Sequence, residues 1–126
     1  MAPEQRGERP AIGRAGARAK SLANVRIIDC PSTSLSVEEH GLQTVRVVFI
    51  DGDHTFDGVK ADSEKWIAHF EKQGAPWCIL WHDAQEDAPP WVGVCRYLTR
   101  LARDKFPLSL SRIEGTRVAV LFVPWE

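Results

Sequence analysis

A chain of 126 residues is long enough for one domain with a single core and too short for two. Its 44% hydrophobic and 26% charged content is that of a globular chain, and no run approaches the roughly 20 apolar residues that a membrane span needs. The formal net charge of -1 gives no electrostatic case for nucleic acid or an anionic membrane as partner.

The first 22 residues stand apart. Arg6, Arg9, Arg14, Arg18 and Lys20 are set against only Glu4 and Glu8, amid Gly, Ala and Pro and almost no large apolar side chains. Such a segment has little to bury against the entropy cost of ordering, so residues 1–22 read as a disordered basic leader and 23–126 as the folded domain. The glutamates and the lack of aromatics argue against a nucleic-acid tail, and there is no apolar stretch for a secretory signal. Cys30, Cys78 and Cys95 are odd in number and widely spaced. That pattern argues against a disulfide framework or zinc knuckle, suits a reducing cytoplasm, and predicts three small buried side chains.

Val25–Ile28 is a short strand candidate, residues 29–34 a loop, and 34–40 a helical turn. Val45 to Ile50 is apolar on both faces apart from Arg46, as in a strand of a parallel sheet covered on both sides. Thr55 or Asp57 then caps a helix whose inner face is Val59, Ser63, Trp66, Ile67 and Phe70, ended by Gly74 and Pro76. WCILW, residues 77–81, is a second buried strand. A second helix is expected over about 92–105, stopped by Pro107, and residues 108–124 form a hairpin turning at Glu114-Gly115-Thr116. Alternation of this kind predicts an α/β fold with a mostly parallel sheet and a C-terminal antiparallel hairpin.

Both central strands end abruptly in polarity: Asp51-Gly52-Asp53-His54 after the first, His82-Asp83 after the second. Parallel strands put their carboxyl ends on one edge of the sheet, which is where open α/β sheets bind ligands. Neighbouring strands lie about 4.8 Å apart, so two clusters distant in sequence converge there. Carboxylates and imidazoles so gathered could hold a divalent cation, magnesium, calcium or manganese, with a histidine as general base. Asp53 and Asp57 read equally well as turn and cap residues, whereas Asp51 does not. Trp66, Trp77 and Trp81 read as core, His40 and His69 as solvated surface, and Trp91 as a wall for a substrate.

At IDGDHTFDGVKADSEKW, then CILWHDA, then WVGVCRYL, the chain resembles class I S-adenosylmethionine-dependent methyltransferases, in the branch with the IDGDH-type motif. The resemblance covers residues 45 to about 101 and implies a Rossmann-like fold, truncated to its carboxyl-terminal half. It implies S-adenosylmethionine as methyl donor and a hydroxyl of a small molecule as acceptor, with Mg2+ as a candidate assistant. Carried over by position, Asp51, His82 and Asp83 would hold the metal, and His54 would be the catalytic base. Asp29, at the end of what would be the family's third strand, would join Asp51, Gly52 and His82 around the donor. The glycine-rich donor turn has no counterpart, since Gly13-Arg14-Ala15-Gly16 follows no apolar strand. Two other readings stand beside this one: a non-catalytic truncated relative acting as an interaction module, with self-association through an exposed sheet edge, and metal-dependent hydrolysis at the same cluster.

Overall fold

The computed structural model describes residues 22–106 and 109–124. Residues 1–21 of the expected leader, with Gly13–Gly16, and the helix stop at Pro107 lie outside the described residues. The chain divides into two compact units, Met1–Leu35 and Ser36–Glu126.

In the first unit the described segment is mostly exposed and turns twice, with Val25 N–H donating to Leu22 O and Ser34 N–H to Pro31 O. Its one regular element is a 3₁₀ turn, Ser32–Ser34. The strand expected at Val25–Ile28 does not form. Val25 and Ile27 remain 38% and 39% exposed, so these four residues gain too little burial to offset the entropy of a fixed strand.

The second unit holds β1 (Val47–Ile50), α1 (Phe56–Gln73), β2 (Trp77–Trp81), α2 (Val94–Asp104), β3 (Leu110–Arg112) and β4 (Ala119–Val123). The sheet order is β1-β2-β4-β3. Only β1 and β2 run parallel, while β2–β4 and β3–β4 are antiparallel. The expectation of a mostly parallel sheet is therefore corrected. The unformed Val25–Ile28 strand adds no second parallel pair, and the closing hairpin docks its return arm directly on β2. That hairpin turns where expected: Ile113 N–H donates to Val118 O, and Gly115 takes the left-handed φ of 77° that a side chain would oppose.

Helix α1 starts because the Thr55 hydroxyl accepts from Gly58 N–H at 3.1 Å, replacing one of the bonds that a first turn lacks. It ends at Gly74, φ 84°, with Lys72 in the last turn. Its inner face is the predicted one, with Asp62 added. Strand β2 alternates, turning Trp77, Ile79 and Trp81 to the helical side. There Phe70 stacks on Trp77 with centroids 5.2 Å apart, and Trp81 Nε1 donates to Ser63 Oγ at 2.8 Å. The three tryptophans are core, as read. The other sheet face is apolar but not buried: Val47, Phe49 and Phe122 are 61%, 55% and 54% exposed. The cysteines are free and half-buried rather than buried. His40 and His69, read as solvated surface, are half-buried as well, with His69 within hydrogen-bond reach of Gln43 O at 3.3 Å.

Candidate active site

The parallel pair carries the site. Past the last ladder residues, His82 N–H still donates to Ile50 O at 3.0 Å, so the two strands leave the sheet as immediate neighbours with Asp51 beside His82. The chain then bends at Asp83, whose φ of 63° is rare outside glycine. Ala84 N–H is held by Arg117 O at 2.9 Å, which anchors that bend to the hairpin.

His82 Nδ1 lies 3.0 Å from Asp83 Oδ1 and 3.5 Å from Asp51 Oδ1. The second Asp83 oxygen lies 3.9 Å from His54 Nδ1. A single carboxylate thus stands between two imidazoles. The Nδ1 atom of His82 is buried and, close as these oxygens are, lacks the alignment of a hydrogen bond. One ligand atom from each of Asp51, His82 and Asp83 fits within 4.8 Å of the others. The adjoining cavity, about 10 Å³, is lined by Ile50 to His54, Val59, His82, Asp83 and Val94; that is room for one water-sized occupant.

The turn out of β1 is braced from two directions. Asp53 Oδ1 accepts from Thr55 N–H at 3.0 Å, and its carboxyl packs so closely on Gly58 that a Cβ there would lie 2.4 Å from Asp53 Cγ. Gly93 N–H donates to His54 O at 2.8 Å, and a Cβ on Gly93 would lie 2.3 Å from Phe56 N. The start of α2 therefore seats directly on the start of α1 and fixes the His54 backbone. The His54 side chain is 12% exposed, and its ring centroid is 5.0 Å from that of Trp91, which is itself half exposed.

Residues 3–84 match the family described as a methyltransferase domain. The chain belongs to that family. The matched span runs from the basic N-terminal residues through β1, α1 and β2 and ends one residue after Asp83. No curated protein and no solved structure matches the chain.

In this methyltransferase-domain chain the residues singled out by sequence fall into two groups. Asp51, His54, His82 and Asp83 come together at one sheet edge. Gly52 is exposed at the same edge, where a Cβ would meet only Asp62 Oδ2, at 3.6 Å. Asp29 lies in the first unit and is exposed there. Asp53 serves the turn and Thr55 the cap, so the plainer alternatives hold there. What the sequence reading missed is the seat made by Gly93. Its only sequence signal is a glycine placed directly before a helix, where Ser, Thr, Asp or Asn is commoner.

Magnesium fits the chemistry of this donor set in part. Two carboxylates suit a hard cation, and donors 3.0 and 3.5 Å apart are close enough to share one small ion. The imidazole brings manganese or zinc into the same range. No helix among the described residues is long and apolar enough to cross a membrane.

Proposed function

We propose that this methyltransferase takes the methyl group of S-adenosylmethionine and passes it to a hydroxyl of a small molecule at the β1–β2 edge, with a divalent cation assisting. The observation that carries this is the buried His82 Nδ1, flanked by two carboxylate oxygens and bonded to neither. Asp51, His82 and Asp83 would hold the cation, which when bound would lower the pKa of the acceptor hydroxyl. His54 takes the acceptor proton. Asp83 lies beside that ring, 3.9 Å from its Nδ1. Trp91 gives the acceptor a flat wall beside that base. Asp51, Gly52 and His82 are assigned to the donor, and the resemblance adds Asp29. The expected setting is cytoplasmic, in keeping with three free thiols.

Transfer of labelled methyl to catechols, sugars and simple alcohols, with and without Mg2+, tests the reading. His54→Ala is expected to lower kcat by about 10²–10⁴, and Asp51→Ala to weaken cation dependence by about 10–100-fold. Unchanged kcat in His54→Ala would remove the assigned base. One observation favours a second reading, a non-catalytic module working by association: the sheet's exposed apolar face.

A further inference from the structure

A cavity of about 260 Å³ lies between α2 and the β3–β4 hairpin. Cys95, Leu98 and Ala102 line it from α2, three and four residues apart and so on one helix face. Leu110, Arg112 and Ala119 line it from the hairpin, where Arg112 and Ala119 are directly paired and share a face. Alanines on both walls leave the space open, since larger side chains there would fill it. The cavity shares no lining residue with the small one beside Asp51, His82 and Asp83, although Ala84 and Cys95 directly follow Asp83 and Val94 there.

Among the described residues around this cavity only Glu86 and Arg112 are charged, one of each sign. They come from different elements, Glu86 from the loop after β2 and Arg112 from β3, and both act on the Cys95 thiol. Burial pushes that thiol's pKa up, Glu86 adds to the rise and Arg112 opposes it. The thiol is therefore neutral at physiological pH and offers Arg112 no anionic partner. Glu86 and Arg112 do not pair with each other, and neither enters an ion pair among the described residues. The cavity thus has a negative side, a positive side and apolar walls between them.

We propose that this cavity binds a free α-amino acid with an apolar side chain, its ammonium at Glu86, its carboxylate at Arg112 and its side chain against Leu98, Leu110 and Ala119. Charge selects the class. A simple carboxylate would satisfy Arg112 but face Glu86, and a simple amine would do the reverse; a small zwitterion matches both. Size and polarity narrow it further. Pockets for drug-sized ligands begin near 300 Å³, so this one suits a smaller molecule, and a charged side chain would lie unpaired against the apolar walls. The inference does not depend on methyl transfer.

Alkylation of the full chain by iodoacetamide at about pH 8.5, followed at each cysteine by mass spectrometry, tests it with L-alanine, L-leucine and L-methionine as probes. With a Kd of about 1 mM, L-leucine at about 10 mM should slow alkylation of Cys95 by about fivefold or more. Cys30 and Cys78, which do not line the cavity, should react as before. The compounds 4-methylpentanoate and isopentylamine, each keeping one of leucine's two charges, should protect at least about tenfold more weakly. Glu86→Gln and Arg112→Gln, both at exposed positions, should each abolish protection, as should Ala102→Leu, which fills the space with both charges kept. If a variant fails to fold, leucine against its two single-charge analogues in the native chain decides. No protection by any of the three amino acids, equal protection by a single-charge analogue, or protection that survives both charge substitutions would each overturn the inference.

Discussion

Gly93 owes its place to what its missing side chain permits. It lets the first turn of α2 sit on Phe56 and donate to the His54 carbonyl at 2.8 Å. A methyl group there would meet backbone, which cannot rotate away as a side chain can. Gly93→Ala is expected to destabilise by about 1–3 kcal/mol in urea unfolding, and to shift the His54 ring resonances in NMR spectra more than those of His40. Wild-type stability with an unmoved His54 would show that the seat is not needed. At this scale Asp51, His82 and Asp83 were legible because polar residues at the ends of apolar runs are conspicuous against the buried strands before them. The Gly93 contact was not, since nothing in a glycine's neighbours along the chain announces which backbone it will touch. His40, His69 and the cysteines were misread for a related reason: half-burial depends on what packs nearby.

At the scale of elements, α1 and α2 share a buried strut. Tyr97 of α2 is 4% exposed. Its hydroxyl is buried beside Ser63, which already accepts the Trp81 indole N–H, and it has no well-aligned hydrogen-bond partner. Burial, with Glu64 adding to it, pushes the Tyr97 pKa up to about 12, against the partial relief given by Ser63 and Arg100. The unfolded chain would lose this proton near pH 10, while the folded one keeps it until about 12. The contribution to stability is therefore whole below pH 10 and declines as pH rises through that window, by up to about 3 kcal/mol. Unfolding followed from pH 8 to 12 should show the decline, and Tyr97→Phe should flatten it with little change at neutral pH. Equal slopes in the two proteins would contradict this. The elements themselves were largely legible: the period of α1, its Thr55 cap and Gly74 stop, the WCILW strand and the hairpin turn are all local signals. The pairing of β4 with β2 was not, because strand partners are chosen by long-range packing. The Val25–Ile28 strand failed on the same point, since a short β-branched run becomes a strand only where a neighbour covers it.

For the whole molecule, one parallel strand pair with its connecting helix sets the candidate site, and the antiparallel hairpin closes the sheet beside it. The family match ends at Ala84, just past the residues that converge. The methyltransferase resemblance was legible in the chain because the IDGDH-type stretch and the His-Asp strand end are contiguous motifs. The methyl acceptor has no such motif, because acceptor pockets are assembled from side chains far apart in sequence. On the proposed function, the β1–β2 edge binds the methyl donor and a cation together. Calorimetric titration of the purified chain with S-adenosylmethionine, with and without Mg2+ and beside Asp51→Ala, tests it most directly. The expected result is saturable binding that Mg2+ strengthens and that Asp51→Ala weakens by at least about tenfold, or 1.4 kcal/mol. Absence of heat at millimolar donor, or binding indifferent to Asp51→Ala, would contradict it.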